Sequence, residues 1–211
     1  MKGLFITLEG PDGSGKSTIA RLLADYLREK GYHVLTTREP GGTKISEDVR
    51  EIILDNNNTN MSYVTEALLY AAARAQHVSE KIRPAIEEGK VIICERFVLS
   101  SLVYQGIGRG LGMEKVKEIN DFAIQGVDPD LVLFFDLPPE IGIKRKTSRN
   151  QGDRLEREKL DFHRKVYNGY LSLVKTYEGK IVKIDATKTK NVTYQQVKTA
   201  LDNLLEKSKE D

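Results

Sequence analysis

The chain has 211 residues, 39% of them hydrophobic and 30% charged. That size fits a single domain with a sizeable core, and the composition reads as soluble and globular, not disordered or fibrous. Lys and Arg total 33 against 31 Asp and Glu, so the net charge is only +2, which speaks against a duplex-DNA binder with its strongly basic face. The lone cysteine, Cys94, excludes an internal disulfide framework and fits a reducing compartment. It follows Val91-Ile92-Ile93 and reads as a small buried residue. His33, His77 and His163 are far apart and give no zinc spacing. Met1-Lys2-Gly3 shows no signal peptide, and no apolar run nears the ~18 residues of a membrane span. A cytoplasmic location is expected, with neither nucleic acid nor membrane as partner.

In chain order, Gly3 to Leu8 reads as a buried strand bounded by Gly10-Pro11. A helix follows, with Ile19, Leu22, Leu23, Tyr26 and Leu27 on one stripe and Gly31 at its C-terminal end. His33–Thr37 is a second strand. The loop Arg38-Glu39-Pro40-Gly41-Gly42 and a helix around Glu47–Leu54 come next. Asp55-Asn56-Asn57-Asn58 is a polar loop. Thr65 to Glu88 reads as helix with a break or bend before Pro84. Val91–Cys94 is a third strand, Glu114–Ile124 a helix, and Leu131–Phe135 a fourth strand. Pro139–Arg149, Leu155–Tyr177 and Val192–Lys207 read as helices, with a fifth strand at Ile181–Ile184. The strands are short, continuously apolar and alternate with helices, the pattern of a parallel sheet buried on both faces. The expected architecture is therefore a three-layer P-loop NTPase fold, a five-stranded parallel sheet flanked by helices.

The strongest chemical signal is Gly10-Pro11-Asp12-Gly13-Ser14-Gly15-Lys16-Ser17. It matches G-x-x-x-x-G-K-[ST] and lies between a strand and a helix, as that pattern requires. The glycines let backbone N–H groups turn inward at phosphate oxygens, and the helix start adds partial positive charge. Lys16 would reach the β- and γ-phosphates of ATP. Ser17 would offer a hydroxyl to Mg²⁺, and Thr18 completes the ATP-binding run. No Asn-Lys-x-Asp base-reading motif and no transporter signature is present, which leaves a small-molecule kinase.

Several segments together resemble the bacterial-type thymidylate kinases. They are Glu9 to Ser17, Thr37-Arg38-Glu39-Pro40-Gly41-Gly42, Leu69-Tyr70-Ala71-Ala72-Ala73-Arg74, Glu95-Arg96, and Ser100-Ser101-Leu102-Val103-Tyr104-Gln105-Gly106. Asp153-Arg154 and Ile184-Asp185-Ala186 fit as well, so the likeness runs from about Phe5 to Thr187. It implies transfer of the γ-phosphate of ATP to dTMP with Mg²⁺, for dTTP synthesis, by a homodimer. Arg38 and Arg96, both at strand ends, would grip the acceptor phosphate, with Arg50 a weaker candidate and Glu39 beside them. Tyr70 would stack on the thymine ring where the family usually has Phe. Arg74, one helical turn on, and Gln105 would bind the pyrimidine carbonyl and N3 edge, with Ser101 beside them. Asp12 would hold the 3′-hydroxyl of the sugar. The basic run Lys144 to Arg149 would form a lid, about 144–154, with Arg149 as its catalytic arginine and Arg145 over the adenine.

One departure is Glu95-Arg96 where the family usually has Asp-Arg. Glu95 is a candidate catalytic residue and, with Ser17, a candidate metal ligand. Deoxynucleoside kinases use Glu-Arg here, with the Glu as base toward a sugar hydroxyl, and that is the alternative enzyme reading. Arg38 and the Pro-Gly-Gly loop have no evident use with an uncharged nucleoside. A nucleotide-binding regulatory module without turnover is the alternative from another class; the Arg38–Arg96 pair and the lid arginine argue against it.

Overall fold

The computed structural model describes residues 3–146 and 152–210. Five strands, β1 (Leu4–Glu9), β2 (Val34–Arg38), β3 (Val91–Glu95), β4 (Leu131–Asp136) and β5 (Ile181–Asp185), form one parallel sheet in the order β2-β3-β1-β4-β5. The longer helices are α1 (Lys16–Glu29), α2 (Lys44–Leu54), α3 (Tyr63–His77), α6 (Met113–Ile124), α8 (Leu160–Thr176) and α9 (Lys190–Glu210). The shorter α4 (Arg83–Glu87), α5 (Val98–Ser101) and α7 (Pro139–Lys146) lie between them.

Because successive strand side chains point to opposite faces, a strand covered on both sides must be apolar throughout. β1 is buried along its whole length. Leu4, Ile6 and Leu8 pack with Leu23 and Leu27 of α1 and Val197 and Leu201 of α9 on one face. On the other, Phe5 meets Phe97, Val78, Ile82 and Cys94, while Phe134 of β4 packs with Val166 and Tyr170 of α8. Cys94 is fully buried, as its apolar context predicts.

Each predicted strand and most predicted helices are present with ends shifted by a few residues. Helix ends follow capping chemistry. Thr43 accepts from Ser46 N at the start of α2, and Ser62 accepts from Thr65 N at the start of α3. Two differences matter. The stretch before Pro84 does not break. A π-helical segment, Val78–Ile82, carries α3 into α4, and its wider turn lies immediately ahead of Pro84, at the start of α4. A second π-helical segment, Leu102–Gly108, continues α5 and went unread, because its wide turn and two glycines do not follow the 3.6-residue stripe. The helix expected from Leu155 begins at Leu160; Asp153 Oδ1 instead accepts from Leu155 and Glu156 N–H and holds a turn.

The register places the chemistry. Leu8, Glu95 and Arg38 lie level across three neighbouring strands. At about 4.8 Å per strand, Arg38 stands about 10 Å to one side of the loop that leaves β1. The carboxyl ends of β1, β3 and β2 thus form one edge, where α/β sheets bind ligands.

Candidate active site

The loop from Gly10 to Gly15 joins β1 to α1. Gly13 and Gly15 sit at φ of 75° and 88°, backbone that other residues adopt only with strain. A side-chain carbon at Gly13 would also collide with the carbonyl of Gly142 in α7, so the loop needs glycine there for contact as well. Lys16 is folded over the loop. Its Nζ donates to the carbonyls of Gly10 (2.9 Å) and Pro11 (2.8 Å) and to Ser14 Oγ (3.3 Å). Burial, and then the charge on Arg96, lowers the Lys16 pKa to about 7. Ser17 Oγ donates to Glu95 Oε2 at 2.6 Å, so a hydroxyl and a carboxylate converge beside the loop. Arg145 Nη1 reaches Ala186 O (3.1 Å) and Gly13 O (3.5 Å), tying α7 to the cradle.

Arg96 has a φ of 66°, rare for a side chain of its size. The surroundings dictate it. Its N–H donates to Leu8 O (2.9 Å), and the next N–H, Phe97, donates to Glu9 Oε1 (2.8 Å). Ser100 Oγ (2.6 Å) and Tyr170 OH (3.1 Å) donate to Glu9 Oε2. Glu9 is fully buried; burial raises its pKa, against the opposing hydrogen bond from Ser100 and charge of Arg96. The chain is thereby turned so that the Arg96 guanidinium contacts Asp12 Oδ1 (2.9 Å), Ser100 Oγ (3.2 Å) and Tyr104 OH (3.3 Å). Asp12, expected to hold the sugar 3′-hydroxyl, also has its charge met by Arg96. Glu9, Tyr104 and Tyr170 were not singled out from the sequence. Glu9 opened one of the segments that carry the resemblance, and an acid closing a buried strand was a further signal.

On the acceptor side, Arg38 makes a two-pronged pair with Glu47 of α2 (2.7 and 3.0 Å), and Glu47 also accepts from Gly42 N (2.7 Å). Arg50 Nη1 donates to Pro40 O (2.7 Å). Arg74, expected at the base edge, lines the cleft and has other partners too. It is 2% exposed, and Nε donates to Glu39 (2.7 Å), Nη1 to Ser101 Oγ (3.0 Å) and Asn120, and Nη2 to Phe97 O (2.9 Å). Of the five guanidinium N–H groups, one on Nη2 is left. Arg74 is therefore first a buried tie between α3, α6 and the β2 and β3 loops. Glu39, expected among the acceptor contacts, is 4% exposed and is also held by His77 Nδ1 (3.1 Å). Gln105 is buried and donates from Nε2 to Glu66.

These groups surround a cleft of about 810 Å³, within the range of small-molecule sites. Every predicted site residue lines it except Gly10, Pro11 and Ser14, which belong to the loop behind it, and Arg149, which lies outside the described residues. The cleft has two charged walls, Lys16 with the loop amides on one and Arg38, Arg50 and Arg96 on the other.

A phosphate loop leaving the central strand of a parallel sheet, with guanidinium groups facing it across a nucleotide-sized cleft, defines a P-loop phosphotransferase. Comparison with known proteins narrows the class. The thymidylate kinase family model matches residues 8–197. A thymidylate kinase of Finegoldia magna is 56% identical over 193 residues, covering 92% of this chain and 95% of the relative. One of Lactobacillus acidophilus is 53% identical over 211 residues, covering 99% and 98%. The crystal structure of the thymidylate kinase of Ehrlichia chaffeensis superposes with a TM-score of 0.79 at 30% identity, covering 95% of this chain and all of the other. The chain belongs to the thymidylate kinase family.

Proposed function

We propose that this cleft binds ATP and dTMP with their phosphates meeting between its two walls. The chain is an ATP-dependent nucleoside monophosphate kinase that converts dTMP to dTDP, a step toward dTTP. In this reading the loop amides and Lys16 hold the transferred phosphate, and Arg38, Arg50 and Arg96 hold the acceptor phosphate. The observation that carries it is the second wall. These three guanidinium groups line the cleft, and Glu47 and Asp12 pair with only two of them among the described residues, so the surplus positive charge suits an anionic acceptor better than a neutral nucleoside. Tyr70 supplies the stacking face, Gln105, Arg74 and Ser101 the base edge, and Asp12, on the shared rim, a contact to the sugar.

Ser17 Oγ and the Glu95 carboxylate are hard oxygen donors 2.6 Å apart, a pairing that fits Mg²⁺. When bound it would offset phosphate charge between donor and acceptor. Glu95 is one methylene longer than the family's usual Asp and still reaches the loop serine. The resemblance assigns Arg145 to the adenine and Arg149 to the transferred phosphate, in a lid of a single catalytic domain. A homodimer fits Val64 and Leu68 of α3 and Phe122 of α6, which leave large apolar side chains in water on two helices that pack together. No helix of the described residues is long and apolar enough to cross a membrane, and the cytoplasm is the expected location.

The test is ADP release with dTMP or thymidine as acceptor. Turnover with dTMP and little with thymidine is expected; the reverse preference would establish the nucleoside kinase reading.

A further inference from the structure

We infer that Glu66, which makes no substrate contact in the reading above, sets the base specificity of the pocket by holding the Gln105 amide with its carbonyl oxygen toward the cleft. The pocket then takes a pyrimidine that carries an N3–H and refuses one whose N3 is an acceptor. The inference rests on the base pocket lying at Tyr70, Arg74 and Gln105.

Glu66, Tyr70 and Arg74 are spaced four apart on α3 and so share one face. Glu66 is fully buried. Its Oε1 accepts from Gln105 Nε2 (2.9 Å) and Arg109 Nε (3.1 Å); its Oε2 accepts from Arg109 Nη2 (3.2 Å) and Arg154 Nη2 (2.6 Å). Two guanidinium groups keep this carboxylate ionised, and Arg109 is itself fixed by Glu158 (2.5 Å) and by the rings of Tyr63 and Phe162, each 4.7 Å away.

An ionised carboxylate only accepts hydrogen bonds. The amide of Gln105 can therefore turn only its NH₂ toward Glu66. The flipped amide would set two acceptors against each other in a buried place, which is costly. The orientation fixes what is left for the base. Among the described residues nothing donates to Gln105 Oε1, and Gln105 lines the cleft with Tyr70 and Ser101. Beside it Arg74 has, among the described residues, one uncommitted N–H, and it has no accepting atom. The edge thus offers one acceptor and one donor. A pyrimidine with N3–H and a 4-carbonyl matches both. A 4-amino pyrimidine presents an acceptor at N3 and a donor at C4 and fails at both. Without Glu66, a free glutamine amide could rotate to serve either base.

Two measurements test this. In Glu66→Gln the neighbour can donate or accept, so the constraint on Gln105 is lifted while size is kept. The ratio of kcat/KM for dTMP over dCMP is expected to shrink about tenfold or more. Equal losses for both substrates would reduce Glu66 to a structural residue and overturn the inference. Should that variant not fold, titration calorimetry on the unmutated protein with N3-methyl-dTMP decides. Binding about tenfold or more weaker than dTMP is expected, and equal binding overturns the inference while leaving the kinase reading intact. Absence of dTMP turnover in the unmutated protein would instead remove the functional reading, and the inference with it.

Discussion

Asp12 of the phosphate loop and Arg96 at the end of β3 are joined across the cleft by a 2.9 Å ion pair. The pair connects the wall proposed for the donor to the wall proposed for the acceptor, and both partners also line the space between them. Arg96 is half-buried, and its charge has Asp12 as its one ion-pair carboxylate among the described residues.

Removing either partner therefore does two things at once. Arg96→Ala deletes a guanidinium at the reacting phosphates, where one such donor contributes about 10²–10³ in rate. Asp12→Asn leaves Arg96 charged without its partner and is expected to raise KM for dTMP about tenfold, with a smaller effect on ATP. Because the residues act as a unit, the double variant should be little worse than Arg96→Ala alone. Steady-state kinetics with each substrate varied in turn checks this; strictly additive losses would show that the pair does not couple the two walls.

Lys16 gives a pH dependence with a definite sign. In the ligand-free protein its pKa is lowered to about 7, by burial first and by Arg96 second. Above that pH much of the population carries a neutral amine. Triphosphate entering the loop favours the ammonium form, so ATP binding at pH 8 must take up a proton. ATP affinity should weaken as pH rises from 7 to 9. Calorimetry at pH 8 in two buffers of different ionisation enthalpy should show the uptake, and Lys16→Met should abolish it. The linked effect on the empty fold runs the other way. Between about 7 and the ordinary 10.5 the unfolded chain holds the proton and the folded one does not, so this group adds stability as pH rises. That contribution is absent below about 7 apart from the fixed cost of burying the charge.

The frame of this chemistry was legible because it follows from local rules. Apolar runs gave all five strands, and the glycine-lysine pattern gave the loop, since both depend on residues close in sequence. Arg38 and Arg96 could be placed at strand ends before the register showed them side by side. What the sequence could not supply was pairing across the chain. Nothing local joins Arg38 to Glu47, Arg96 to Asp12, or Arg74 to Glu39 and Asn120. Arg74 could be read toward the base from its spacing to Tyr70, but its burial could not be read. Its burial depends on a glutamate 35 positions earlier. The π-helical segment at Leu102–Gly108 hid for a related reason. Its shape is set by packing on α6 and α8, not by its own residues.

Glu9 is the buried acid with the most to lose. It accepts from Phe97 N, Ser100 Oγ and Tyr170 OH, and those three bonds hold the turn that aims Arg96. Glu9→Leu removes both accepting oxygens and leaves the buried Phe97 N–H without its acceptor, a cost of roughly 1–3 kcal/mol. A lower Tm is expected, with a rise in KM for dTMP that exceeds any change in KM for ATP. An unchanged KM ratio alongside the lower Tm would restrict Glu9 to a role in stability.

The outer faces of α3 and α6 supply the last expectation. Phe122 is 87% exposed, and Val64 and Leu68 each expose about half of their surface on the neighbouring helix. Val64 and Leu68 lie four residues apart, on one face of α3, as a helix-to-helix contact requires. Such side chains are normally covered in an assembly, and burying one aromatic and two aliphatic groups on each copy is worth several kcal/mol on the order of 1.5–3 each. Placing charges there should reverse the balance, because a carboxylate has to be desolvated without a partner when the faces close. Leu68→Glu with Phe122→Glu is therefore expected to give a folded monomer by sedimentation, and the unmutated chain at the same concentration the proposed dimer. The catalytic cleft is built from other side chains, so dTMP-dependent ADP release should persist in the variant at low protein concentration unless the dimer contributes to the shape of α3. A monomeric unmutated protein would refute the proposed assembly, and full loss of turnover in a well-folded variant would show that the helix carrying Tyr70 needs its neighbour to hold the base pocket.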